Sequence, residues 1–406
     1  MSGKVKLFLQ DFGPIAETEV TFDKYTIFIG EQGTGKSTIV KLFSLFTWLE
    51  KGLTRRIVSE TSLTQHARFR KNYCAYHRLD TYFRKSTKIR FEGLSYRFLY
   101  ADEIFSIEEK IHETTYNVAK VMYVPAERNF LSTTDNAANL KNLPESLQTF
   151  LDEFEKAKVV LKSGFRLPFN QVNFEYDLLN KMAWLKGEDY KIHLSVASSG
   201  FQSALPLLLV TRFLSDLVAG NAGREELSSK ERLQIEKEVN RVMNDNSLSD
   251  DVKNIMLRSI SSRFKYSRFV NIVEEMEQNL YPESQMNVLF DLLSHTNRME
   301  SNLLLLTTHS PYVINYLTLA TKAFDLKQRS TGNEDFLHMI DKVVPLESTV
   351  QPDLLRIYEL KAGRVTPLKN QDGLPSDENF LNNQLERTNE MFDRLLEVEE
   401  TLDHQN

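Results

Sequence analysis

Residues Gly30–Ser37 read G-E-Q-G-T-G-K-S, and the segments on either side leave this octet little freedom. Before it, Tyr25–Ile29 (Y-T-I-F-I) is a short apolar, β-branched run that reads as a buried strand. After it, Lys36–Leu49 places Ile39, Leu42, Phe43 and Phe46 at helical spacing. Strand, glycine-rich loop, helix is an order that turns backbone N–H groups inward at a helix N-terminus, where anions bind. The octet fits G-x-x-x-x-G-K-[ST], a loop that holds nucleotide phosphates. Gly30, Glu31, Gln32, Gly33, Thr34, Gly35, Lys36, Ser37 and Thr38 are therefore the candidate binding residues. Lys36 would reach the β- and γ-phosphates, and the Ser37 hydroxyl would hold Mg²⁺.

Two further runs end in chemistry. Arg268–Glu275 (R-F-V-N-I-V-E-E) is a buried strand closing on two acids. Beside a Mg²⁺–nucleotide site, Glu274 would bind the metal through water and Glu275 would act as general base on an attacking water. Leu303–Ser310 (L-L-L-L-T-T-H-S) delivers His309 at the C-terminal end of another buried strand, where ligands sit in open α/β sheets. Its imidazole could bond the γ-phosphate and sense its presence.

The rest of the chain frames these runs. Val5–Leu9 and Ile15–Phe22 read as an antiparallel pair joined by the Asp11–Pro14 turn, and Ile89–Tyr100 as a hairpin with Gly93 in its turn. Val121–Val124 is a short buried strand, and Ile192–Val196 reads as a strand leading into Ser198-Ser199-Gly200. Pro144–Leu161 and Phe201–Leu217 read as helices. Residues 221–264 change character: Ser228 or Ser229 caps one charged helix and Ser249 a second, a helical hairpin inserted into the core order. Leu354–Leu360 and Arg364–Pro367 make a late hairpin, followed by an acidic amphipathic helix over Phe380–Leu402. The fold class expected is α/β: a mixed sheet around a phosphate-binding loop, an antiparallel N-terminal β subdomain and helical insertions. The expected segments are 1–50, a basic insertion 51–100, 101–220, the hairpin 221–264, 265–368 and the acidic tail 369–406.

At 41% hydrophobic and 26% charged, the composition is that of a soluble globular protein, and no run of 18 apolar residues stands out as a membrane span. The charged, alternating N-terminus does not read as a signal peptide. Cys74 is the only cysteine, which excludes intramolecular disulfides and suits a reducing cytoplasm. His66, Cys74 and His77 are too sparse a set to suggest a metal. Between Arg55 and Arg97 eleven Lys/Arg stand against three acids, a net +8 that leaves −14 for the rest of a chain whose total is −6. With Tyr73, Tyr76, Tyr82 and Phe83 interleaved, this segment reads as a nucleic-acid surface, as a solvated face, or as a dock for an acidic partner.

The order G-E-Q-G-T-G-K-S, V-A-S-S-G-F-Q-S, I-V-E-E-M-E-Q-N-L-Y-P, T-T-H-S-P-Y resembles the ABC-type ATPase heads, specifically the RecF/SMC-like and OLD-like group of AAA-type ATP-binding proteins. The resemblance spans about residues 5–317 and the late hairpin. It implies ATP and Mg²⁺ as cofactors, ATP hydrolysis, and a head-to-tail homodimer or higher homo-oligomer closing on two ATP. Ser198, Ser199 and Gly200 would then be the signature motif that touches the γ-phosphate held by the other subunit. Met276–Tyr281 would be the loop crossing that interface, and His309 the switch histidine. Pro125-Ala126-Glu127-Arg128 resembles a recurrent OLD-like motif, whose Arg128 would contact phosphate or the partner, or else make a surface ion pair. Met276 stands where proline is usual, and Glu274 where transporters carry aspartate. With only about a hundred residues after His309, the chain reads as lacking the TOPRIM nuclease of OLD proteins. Prokaryotic ATPases of this build pair with a separate effector, as in PARIS, Septu and retron-associated phage defence. Two other readings compete: a RecF/SMC-like DNA clamp, and a scaffold that holds ATP with little turnover.

Overall fold

The computed structural model describes residues 4–403 except 66, 111–117, 135–136, 221–226, 246–248 and 372. Strands β1 (Val5–Phe12) and β2 (Ile15–Phe22) form the expected antiparallel pair, followed by β3 (Tyr25–Gly30) and helix α1 (Lys36–Thr54). A short helix α2 (Glu60–Thr64), capped by Ser59, precedes a compact turn over Phe69–His77. Strands β4 (Phe83–Glu92), β5 (Tyr96–Ala101) and β6 (Ile104–Glu109) then extend the first pair into a five-stranded sheet, ordered β2-β1-β4-β5-β6. The C-terminal part of the basic segment 55–97, from Phe83 on, is thus built largely into this sheet. The segment's +8 charge is partly consumed by the fold. Arg55 is 1% exposed and Phe83 is packed inward, so these residues are not available to stack or neutralise nucleic acid.

The central layer is a six-stranded sheet. It comprises β7 (Ala119–Val124), β12 (Arg268–Glu274), β13 (Leu303–Thr308), β3, β14 (Leu355–Lys361) and β15 (Arg364–Pro367), in the order β15-β14-β3-β13-β12-β7. All pairs are parallel except the edge pair β14–β15. Both faces are covered, which is why these strands read as continuous apolar runs. Phe28, Val270, Ile272 and Leu305 pack toward α1 and the antiparallel sheet, whereas Ile27, Ile29, Val273, Leu304 and Leu306 pack toward the opposite helices.

Those helices are α3 (Glu145–Val160), α4 (Ser199–Val218), α7 (Pro282–Asn297) and α8 (Pro311–Arg329). By length and composition α4 is apolar enough to cross a membrane, although the sequence shows no unbroken apolar run of that size; most of it is buried in this core. The hairpin of α5 (Ser229–Met243) and α6 (Asp250–Arg263) carries its own small cluster of Val242, Ile260 and Phe264. Ser228 is its first cap, in a reciprocal capping box with Glu231. Arg55, at the end of α1, docks this hairpin. It donates to the carbonyls of Arg263 (3.0 Å) and Phe264 (3.1 Å) and lies over the Tyr266 ring. Helix α9 (Glu334–Asp341) and the long α10 (Phe380–Asp403) complete the chain.

One expected strand is different. Ile192–Val196 is a three-residue strand β11 (Lys191–His193) followed by a 3-10 turn, Leu194–Val196. It belongs to a small antiparallel sheet with β8 (Phe165–Arg166), β9 (Asn173–Asp177) and β10 (Met182–Lys186), not to the central one. The reason is local: the 3-10 turn takes the place of the strand's second half, and α4 begins at Ser199, three residues after Val196. The α/β class, the mixed sheet, the antiparallel N-terminal subdomain and the helical insertion expected from sequence are otherwise all present.

Candidate functional site

The parallel register sets the C-terminal ends of β3, β13 and β12 side by side: Ile29 pairs Thr308, and Thr307 pairs Glu274. The loop Gly30–Ser37, His309 and the two acids therefore emerge on one edge of the sheet. Gly30 has φ 141°, and a Cβ there would stand 2.4 Å from the Leu360 carbonyl oxygen. Gly35 has φ 107°, and its Cβ would stand 2.4 Å from Ile15 Cδ1. Both positions thus require glycine. Gly35 is also the N-cap of α1 and has no side chain to cap it, so the first-turn amides stay open to a ligand.

Lys36 is buried, with Nζ donating to the carbonyls of Gly30 (2.8 Å) and Glu31 (2.7 Å). The ammonium is folded back over its own loop, and burial pushes it down to about 8, against the opposing pull of Glu275, Glu277 and Glu274. Thr34 closes the loop by donating to Glu31 O at 2.8 Å. Glu31, Gln32 and Gly33 are exposed, Ser37 is half-buried and Thr38 is buried.

At the end of β12 the two acids part company. Glu274 is 4% exposed, and its Oε1 is buried without a hydrogen-bond partner. The buried Tyr123 of β7 faces it, and that carboxylate adds to burial in pushing the phenol well above its ordinary value. Glu275 has a left-handed backbone, φ 45°, a strained conformation for this residue. Its amide donates to Thr307 O (2.9 Å), while its half-exposed carboxylate lies 3.6 Å from His309 Nε2. His309 first, then Lys36 and Arg128, hold the Glu275 carboxyl below the usual range.

Glu277 went unremarked in the sequence. Its Oε1 accepts the His309 backbone N–H at 2.7 Å and its Oε2 is buried without a partner, so burial raises its carboxyl. Only its place as the third acid of the run E-E-M-E could have pointed to it. The turn at Glu275 sends Met276 into the core at 0% exposure, while Asn279 and Tyr281 of the segment Met276–Tyr281 are exposed.

Arg128 does not reach the surface, so it makes no surface ion pair. It is fully buried, and each guanidinium nitrogen donates to a carbonyl: Nε to Ser203 (3.1 Å), Nη1 to Pro125 (3.3 Å) and Glu274 (2.7 Å), and Nη2 to Glu275 (2.8 Å). It therefore ties the acid turn to α4. Ser198 and Ser199 stand exposed at the N-terminus of that helix, where Ser198 makes no side-chain cap. Gly200 packs so closely on the loop after the acids that a Cβ would come within 2.9 Å of Asn279 O.

This donor set suits a Mg²⁺–triphosphate. The loop offers open amides and a lysine satisfied only by its own carbonyls, and the orphaned Glu274 oxygen suits a hydrated cation. Among the described residues no group of three His, Cys, Asp or Glu forms a metal cluster, and of the sparse His66, Cys74, His77 set the last two are buried while His66 lies outside the described residues.

No protein-family model matches the sequence, and no curated protein does. Among solved structures the chain is similar to the SMC head domain from Thermotoga maritima, at 10% identity and TM-score 0.36, covering 90% of this chain and 99% of that one. It is similar to the recombination mediator RecF at 10% identity and TM-score 0.31 (91% and 99% covered). It is also similar to a dimeric bacterial ABC transporter cassette at 8% identity and TM-score 0.25 (90% and 100% covered). None is close enough to carry a function across.

Proposed function

We propose that this protein binds and hydrolyses ATP with Mg²⁺, dimerises head-to-tail around two nucleotides, and thereby controls a separate effector, a nuclease or toxin, in phage defence. One observation carries the ATPase reading: a glycine-shaped loop with a buried lysine shares a sheet edge with a half-exposed carboxylate backed by a histidine. Lys36 swings from the Gly30 and Glu31 carbonyls to the phosphates. Ser37 and Glu274 would hold Mg²⁺, which when bound would neutralise charge on the β- and γ-oxygens. Glu275, kept ionised, takes the proton of the attacking water, and His309 holds that carboxylate in place. Exposed Ser198 and Ser199 support a second subunit's nucleotide docking there. Exposed apolar side chains on α9 and α10 (Phe336, Met339, Phe392, Leu395) support an effector-binding role.

A second reading, a DNA clamp, draws on the exposed Arg84, Lys85 and Lys88 of β4. It predicts turnover that DNA stimulates and salt suppresses.

The decisive experiment is Glu275→Gln. Steady-state turnover should fall by about 100-fold or more, the scale of a lost general base, while nucleotide affinity is kept. Lys36→Ala should lose affinity itself. Wild-type turnover in the Glu275 variant would remove the catalytic assignment.

A further inference from the structure

A second cavity, of about 530 Å³, opens between α1, the Phe69–His77 turn, β7 and α3. It is not the phosphate site. Its α1 wall starts at Ser44, eight residues beyond Lys36, which is about 12 Å along a helix. Its volume falls in the range of small-molecule sites, roughly 300–1,000 Å³.

The lining is chemically specific. Trp48, 41% exposed, stands at the mouth with its ring 6.2 Å from that of Tyr73. Tyr76 forms another wall, its hydroxyl fixed on Thr149 Oγ1 at 2.8 Å. His77 lines the cavity at 3% exposure, wedged edge-on between the Tyr76 and Tyr123 rings, and both its nitrogens are without hydrogen-bond partners. Burial pushes this imidazole down to about 3, with Lys41 adding to the effect, so it is neutral and carries one donor and one acceptor. A buried donor–acceptor pair left without partners is costly, which makes it a signal of a missing occupant.

The charges restrict that occupant. On one side Lys120 and Glu153 form a buried ion pair at 3.3 Å, and at the mouth Lys51 is offset by the exposed Glu145. The cavity therefore has no net charge with which to hold a phosphate chain. Aromatic walls, an edge with one donor and one acceptor, and a neutral interior together describe a planar, uncharged heteroaromatic molecule.

We propose that this cavity is a nucleobase-recognition site that takes a free nucleobase or nucleoside, its ring stacked on Tyr73 and its edge hydrogen-bonded to His77. The inference stands apart from the ATPase reading, because it uses none of the Lys36 cluster.

The test is calorimetric titration of the full chain with adenosine, guanosine, cytidine and uridine, and separately with a short single-stranded oligonucleotide. At least one nucleoside should bind saturably at a single site. Tyr73→Ala should weaken it roughly tenfold, the worth of a lost aromatic stack, and His77→Phe, which keeps the ring and removes both nitrogens, should do likewise. Tyr73 is partly exposed, so its variant keeps the test sharp if His77→Phe does not fold. Lys36→Ala should leave nucleoside affinity unchanged even where it abolishes ATP binding. No saturable binding by any of the four nucleosides, binding by the oligonucleotide alone, or binding that survives Tyr73→Ala but is lost in Lys36→Ala would each overturn the proposal.

Discussion

Lys36 sets burial against charge. Its ammonium is buried over two carbonyls, and burial lowers it to about 8 from an ordinary 10.5. A lowered value means that the unfolded chain binds the proton more tightly than the folded one. The cost of burying the charge is therefore fully present below pH 8, and stability without nucleotide rises as pH climbs from about 8 toward 10.5. A polyphosphate reverses the preference, since it stabilises the charged form. ATP binding should thus take up about one proton per site at pH 9 and almost none at pH 7, with affinity declining as pH passes 8. Calorimetry in two buffers of different ionisation enthalpy measures that uptake directly. Binding with no proton uptake at pH 9 would mean that Lys36 does not meet the phosphates. At the same scale, Glu275 has the left-handed backbone that aims its carboxylate at His309, and no pattern in E-E-M-E announces it.

At the scale of elements, Arg128 makes the joint. Its guanidinium gathers carbonyls from the Pro125 turn, the second turn of α4 and both acids of β12, so that movement of α4 and movement of the acid turn are linked. Lysine cannot reproduce that fork, because it has one nitrogen on a flexible stem. Arg128→Lys should therefore leave buried carbonyls without donors and cost about 2–3 kcal/mol, read by urea denaturation. Its ATP turnover should fall further than its ATP affinity, since the loop at Lys36 is untouched. Wild-type stability with wild-type turnover would sink this role. The sequence showed the arginine in P-A-E-R but not its direction, because a single charged residue in an aperiodic turn carries no signal of burial. The same limit hid the β8–β10 strands. Their residues, such as Asn173–Asp177 (N-F-E-Y-D), are short, polar and half-buried. By contrast β3, β12 and β13 were legible, since a sheet covered on both faces demands apolar residues at every position. The loop, the acid pair and His309 were legible for a related reason: each follows such a strand directly, so the strand ends locate them.

For the whole molecule, the unfinished surface is the N-terminus of α4. Ser198 and Ser199 are exposed, Ser198 does not cap its own helix, and the first-turn amides point outward. A helix end of this kind attracts an anion, and in the proposed dimer the anion is the γ-phosphate held by the other subunit's Lys36 loop. Association should then need three things together: nucleotide, an intact Lys36 loop, and an unobstructed Ser198. Glu275→Gln supplies the first by halting turnover, so this variant with Mg²⁺–ATP should elute as a dimer by light scattering, and as a monomer without nucleotide. Adding Ser198→Arg should return it to monomer, because the bulky side chain blocks the approach, while each monomer still binds ATP with unchanged affinity at its own loop. That combination separates the two functions proposed for the chain: nucleotide capture within one subunit and recognition of nucleotide held by the next. A Glu275→Gln protein that stays monomeric with saturating ATP, or a Ser198→Arg protein that dimerises as before, would mean that α4 does not face a second copy and that the exposed serines answer to something else.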